Sequence, residues 1–163
     1  DVMSDKIEYR KSASLKPWAN NARTHSKKQL RQIADSIEQF GFTNPVLIDN
    51  NDVILAGHGR VEAAKQLGMD TIPCLLQDQM TDDQKRAYVL ADNKLAQNAG
   101  WDEELLAMEL GALHKLELDF SVEITGFSIA EIDNLIDGAS IEEPGDPADD
   151  GSVREKAALT AIQ

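Results

Sequence analysis

The hydrophobic positions of this chain change period several times, and each change marks an element. Lys6-Ile-Glu-Tyr-Arg10 alternates polar and apolar residues and predicts a first strand. Leu15 to His25 has no period, is rich in turn formers and basic groups, and predicts a loop pinned by Trp18. Ser26-Lys-Lys-Gln29 is a capping box, after which Leu30, Ile33, Ala34 and Ile37 mark one helix face up to Gly41. The apolar runs Pro45 to Asp49 and Val53 to Ala56, joined by Asn50-Asn-Asp52, predict a hairpin. Thr71 to Leu76 is another buried strand, which Pro73 restricts to a sheet edge or an irregular pairing position. Thr81-Asp-Asp-Gln84 is a second capping box and opens a helix to about Leu95, with Ala87, Leu90, Ala91 and Leu95 expected inward. Beyond Trp101, Asp102 caps a helix with the stripe Leu105, Leu106, Leu110 and Leu113. A third box, Ser128 to Glu131, opens a short helix expected to end at Gly138. Residues 142–151 read as a disordered acidic linker, and Val153 to Gln163 as a marginal helix.

The most informative stretch is Val53 to Gly68. A short apolar run is interrupted at Gly57-His58-Gly59, and then Val61, Ala63, Ala64 and Leu67 fall at helical spacing before Gly68. This is a strand, a tight turn and a helix. A helix start at a glycine turn offers unpaired N–H groups and partial positive charge, so an anion is stabilised there. Arg60, in the first turn, is disfavoured by the helix dipole unless something negative faces it. A bound phosphate or carboxylate held by Arg60, with His58 in reach, resolves the conflict. The alternative is an ordinary Gly-rich turn with a solvated arginine.

Charge changes the picture further. The net charge is −13. Residues 1–100 carry 13 Lys+Arg against 13 Asp+Glu, whereas residues 101–163 carry 3 against 16. The segment up to Arg31 holds 8 basic and 3 acidic residues, a basic leading edge in which Lys16, Arg23, Lys27, Lys28 and Arg31 are candidates for DNA phosphates. The single cysteine, Cys74, excludes an internal disulfide and multi-cysteine metal sites, and reads as core rather than reactive thiol. No apolar run approaches a membrane span and no signal peptide precedes the first strand, so a cytoplasmic protein is expected.

Ile54-Leu-Ala-Gly-His-Gly-Arg-Val-Glu-Ala-Ala64 resembles the second box of the ParB/sulfiredoxin-like family. Asn20-Asn-Ala-Arg23, the Gln39 to Ile48 run and Ala91-Asp-Asn-Lys94 resemble its other boxes in the expected order. The resemblance implies an α+β fold, a small mixed sheet with flanking helices, followed here by an acidic helical segment. The four boxes span roughly residues 6–100, and with the charge distribution and composition the chain divides into residues 1–100, 101–138 and 139–163. The resemblance also implies a nucleotide or phosphate site formed by Arg23, Gly57, His58, Gly59, Arg60 and Asn93, with Asp92 as ligand to a Mg2+ ion.

Departures from the family shape the functional expectation. His58 stands where sulfiredoxins place a nucleophilic cysteine, so sulfinic-acid reduction is not expected. Gly59-Arg60 stands where partition proteins carry two adjacent arginines, so weaker nucleotide or phosphate binding is expected than theirs. The helices after Trp101 are acidic, and no helix-turn-helix is expected there. The box combination and acidic linker resemble the ParB-like N-terminal domain of bacterial and phage DNA methyltransferases, whose catalytic motifs are missing here. Three readings follow. The first is a nucleotide- or phosphate-binding accessory module, DNA-associated, partnered by a methyltransferase domain or protein and with a dimer among its allowed states. The second is a phosphoryl-chemistry enzyme, an NTPase, small-molecule kinase or nuclease, for which His58 and Glu62 are the general-base candidates. The third is an interaction module without a ligand.

Overall fold

The computed structural model describes residues 6–141, so the predicted acidic linker and terminal helix lie outside the described residues. The described chain divides into two compact units, residues 6–100 with 124–126, and residues 101–123 with 127–141. The first unit is built on a four-stranded mixed sheet. Its strands are β1 (Ile7–Lys11), β2 (Val46–Ile48), β3 (Ile54–Ala56) and β4 (Thr71–Leu76), in the order β1-β4-β2-β3. β4 runs antiparallel to β1 and parallel to β2, and β2 and β3 form the hairpin. Its turn carries Asp52 at φ 61, and the Asp49 carboxylate accepts from the N–H groups of Asn51 and Val53.

Pro73 therefore sits in an inner strand and not at an edge. The ladder to β2 begins at Cys74, one residue later, and Pro73 is paired only opposite Tyr9 of β1. A missing N–H is tolerated where one neighbour has not yet begun to pair. Val46, Ile48, Ile54, Ile72 and Cys74 gather with Val61 and Ala64 into one core. Cys74 is fully buried, and desolvation pushes its thiol pKa up, as fits a core residue.

Among the described residues three α-helices complete this unit: α1 (Lys27–Phe40), α2 (His58–Gln66) and α3 (Asp82–Asn98). The boxes at Ser26/Gln29 and Thr81/Gln84 are both formed in full. α1 packs on α2, and α2 carries the chain back from edge strand β3 to inner strand β4. The inward face of α3 departs from expectation. Ala87, Leu90, Ala91 and Leu95 are exposed, and Lys85 and Val89 are the buried positions. Asp49 explains the rotation: its buried carboxylate lies 3.1 Å from the Lys85 ammonium, and turning Lys85 outward would leave it without a counter-charge.

The second unit pairs α4 (Glu103–Lys115) with α5 (Ile129–Ile141). Asp102 caps α4 and the Ser128/Glu131 box caps α5. Leu110, Val122 and Ile132 form its core, with Leu106, Leu113 and Phe127 against it, while Leu105 is exposed. α5 runs through Gly138 without a break, because a glycine weakens a helix by about 1 kcal/mol and ends it only when the following turn is also favoured. Among the described residues, no helix is long and apolar enough to cross a membrane.

Candidate functional site

β3 ends at Ala56 and the chain turns at Gly57, whose φ of 105 places it in the left-handed region as N-cap of α2. Any other residue would be strained there. The N–H of Val61 already bonds the Gly57 carbonyl, at 3.0 Å, so the N–H groups just before it are the open donors of the helix start. Arg60 doubles back over this turn. Its Nη2 donates to the Pro45 carbonyl at 3.1 Å, and a Cβ added at Gly57 would lie 2.9 Å from the same nitrogen. Its Nε is buried and has no hydrogen-bond partner. Burial lowers the guanidinium pKa, against which the charge of Asp92 works, joined by Tyr88 only once that phenol ionises. Arg60 is thus half-buried over the turn and not fully solvated.

Gly59 has a different reason to be glycine. A Cβ there would meet His25 Nε2 and Ile33 Cδ1, each at 2.9 Å, so its absence lets the loop histidine and α1 seat directly on α2. His25 was not among the residues the sequence singled out. Its place just before the Ser26 cap put it at the start of a helix, but nothing local says that α2 lies opposite.

A cleft of about 490 Å³ in this unit brings together Arg23, Gly57, His58, Gly59, Arg60, Asp92 and Asn93, with His25 and the polar face of α1 beside them. Arg23 Nη1 donates to Asn93 Oδ1 at 3.2 Å across 70 positions of sequence, and Asn93 Nδ2 is anchored on the Val89 carbonyl at 3.0 Å. Asp92 faces Arg60 electrostatically and lies close enough to Tyr88 that burial and that carboxylate together raise the tyrosine's pKa. Among the described residues no three His, Cys, Asp or Glu side chains cluster as a metal site. Among the residues lining the cleft, Asp92 is the one carboxylate that could hold a Mg2+ ion.

Two groups of candidates are not drawn in. Glu62 pairs with Lys65 at 3.6 Å and lines a smaller cavity of about 250 Å³ behind the histidines, not the cleft. The basic candidates do not form one stripe. Lys16 bridges Val53 and lines a separate cavity, Arg23 turns into the cleft, and Arg31 is paired with Asp35 at 3.2 Å. Lys27 and Lys28 remain exposed in the first turn of α1.

His58 joins the loop to the cleft. Its Nε2 accepts from the Trp18 N–H at 3.0 Å, which requires that nitrogen unprotonated. Burial first, then the neighbouring His25, lower its pKa, with Glu62 opposing; burial and Arg23 lower that of His25. The unfolded chain therefore takes up protons as pH falls through about 6.5, before the native state does. Stability held at neutral pH should decline towards pH 5.5 in urea titrations, and His58→Gln should flatten that decline. An unchanged slope in the variant would show that His58 is not the group whose protonation causes the decline.

Comparisons with known proteins add to this geometry. The model of the ParB N-terminal domain matches residues 2–94, and that of the ParB-methyltransferase HTH domain matches residues 104–161. The second match stands against the expectation that no helix-turn-helix follows Trp101. That expectation rested on acidic charge, and charge does not report how helices are arranged. The chain is 54% identical over 81 residues to the ParB-like nuclease domain-containing protein YnaK of Escherichia coli K12, covering 50% of this chain and 93% of that protein. It is 31% identical over 136 residues to a probable chromosome-partitioning protein ParB of Vibrio cholerae, covering 76% of this chain and 44% of that protein. The crystal structure of C-terminally truncated ParB from Caulobacter crescentus, complexed with CTP-gamma-S, matches with a TM-score of 0.65 at 20% identity. That match covers 80% of this chain and 77% of the other, and shows a common fold.

Proposed function

The chain belongs to the ParB N-terminal domain family, and from that premise we propose that it is a nucleotide- or phosphate-binding module of a DNA-modification system. The observation that carries the reading is Arg60, a half-buried guanidinium with one carbonyl partner and an unpartnered Nε, lying over an open helix start. Such a cation is under-satisfied, and a phosphate supplies what it lacks. In this reading the N–H groups after Gly57 and the Arg60 fork take the phosphate. Arg23 and Asn93 close on it from the other side, and His58 and Gly59 shape the floor. A Mg2+ bound with the nucleotide would neutralise phosphate charge, with Asp92 as its carboxylate ligand.

The ligand of the Caulobacter protein makes CTP the first compound to test. Millimolar CTP with magnesium is expected to raise the melting temperature of the first unit, and inorganic phosphate to do so more weakly. No shift with CTP, ATP, GTP or phosphate would refute the reading. The nuclease activity in YnaK's name would require a general base in this cleft. Of the two bases considered from the sequence, His58 Nε2 is engaged by Trp18 and Glu62 stands outside the cleft, which leaves His25 and Asp92 as the groups that such a reading would have to use.

Residues 1–100 are in this reading the nucleotide module, and residues 101–138 with the acidic tail connect it to a methyltransferase domain or partner. Duplex DNA contact is assigned to phosphate contacts of Lys27 and Lys28, together with the region matched as HTH. Binding should then fall steeply with salt, by fluorescence anisotropy between 50 and 200 mM. A salt-independent affinity would exclude this mode.

A further inference from the structure

A second cavity of about 490 Å³ lies in the same unit, between the 16–20 loop, the 49–53 hairpin turn and the first turns of α3. Pro17, Trp18, Ala19 and Val53 supply apolar wall, and the buried Asp49–Lys85 pair lies at its base. Lys16 and Arg86, both exposed, also line it. Of the three Lys85 ammonium hydrogens, one is engaged by Asp49 Oδ2 at 3.1 Å, and the fully exposed Asp82 carboxylate is 4.0 Å away. Three cations thus face two carboxylates, one of which is already spent on the backbone N–H groups of Asn51 and Val53 as well.

We propose that this cavity is a second ligand site, separate from the cleft at Gly57, for a compact amphiphile: one aromatic ring system bearing a single negative charge. The volume suits a small molecule, Trp18 is among the apolar lining residues, and the net charge of the lining side chains is one. A polyphosphate does not fit this description, because apolar wall would face most of it and the lining side chains carry a net charge of only one positive unit. A neutral ring would fill the wall but leave the ammonium hydrogens without an acceptor. The site does not depend on the nucleotide reading.

The test uses the full chain and 8-anilinonaphthalene-1-sulfonate, a ring system with one anionic group, as the probe. A saturable one-to-one rise in its fluorescence is expected, competed by indole-3-acetate and at least tenfold less well by neutral 3-methylindole. Ala19→Trp fills the cavity from an exposed position and should weaken the probe about tenfold; Arg86→Glu, also exposed, should weaken it severalfold. Leu90→Ala with Leu95→Ala removes the exposed apolar face of α3, the competing place for such a dye, and should change nothing. Absence of saturable binding would overturn the proposal. Binding lost with Leu90 and Leu95 but kept in Ala19→Trp and Arg86→Glu would do so too, as would equal competition by the charged and neutral indoles.

Discussion

Replacing Arg60 with alanine should weaken CTP or phosphate binding about 100-fold, close to 2.7 kcal/mol, while shifting folding stability by no more than about 1 kcal/mol. The asymmetry follows from what the guanidinium has in the free protein. It makes one hydrogen bond, to the Pro45 carbonyl at 3.1 Å, and buries an Nε with no partner. The variant loses that bond and some packing over Gly57, but it also relieves a buried donor left unmade, and these effects oppose each other. The bound state differs. A phosphate offers two acceptors to the planar fork, and charge-assisted bonds of that kind contribute roughly 1.5–3 kcal/mol each. Arg60→Lys should recover only part of the affinity, since an ammonium restores charge without the paired geometry. Isothermal titration of the wild type and both variants decides it. If Arg60→Ala binds CTP as the wild type does, the Gly57 turn is not the anion site.

The largest stability effect is expected at Lys85→Met, a loss of about 3–5 kcal/mol from the first unit. Asp49 is 3% exposed, and its Oδ2 is met by the Lys85 ammonium at 3.1 Å. Burial alone pushes this carboxyl's pKa up, but the N–H groups of Val53 and Asn51 and the Lys85 charge together outweigh it and hold it below the ordinary value. Without Lys85 the carboxylate is buried with no counter-charge. A depressed carboxyl pKa contributes stability that is present above its unfolded value of about 3.8 and is lost as pH falls through the folded one. In Lys85→Met the carboxyl pKa rises, so its protonation starts at higher pH and the gap to wild type should narrow on acidification. Adding Asp49→Asn keeps an acceptor for both backbone N–H groups while removing the charge, and should restore part of the loss. Urea unfolding followed through Trp18 in a Trp101→Phe background isolates this unit. A Lys85→Met variant within about 0.5 kcal/mol of its parent would show that the pair is dispensable.

The sequence by itself determined the features whose partners lie within a turn or two of chain. The boxes at Ser26, Thr81 and Ser128 each join residues three apart, so the pattern names both ends of the bond. The strand, glycine turn and helix from Val53 to Gly68 were legible for the same reason, down to Arg60 in the first turn of α2. The tertiary structure decided which faces are covered. α3 has apolar residues around most of its circumference, and periodicity cannot choose between Leu90 with Leu95 and Val89; the buried Asp49, 36 positions before Lys85, makes the choice. The inner position of β4 was equally hidden, because pairing order depends on α2 returning the chain beside β2 and not on any property of Thr71 to Leu76. So too with the cleft. Resemblance indicated Arg23 and Asn93, but their contact, the seating of His25 on Gly59 and the hold of His58 on Trp18 are long-range encounters that local chemistry permits and only packing selects.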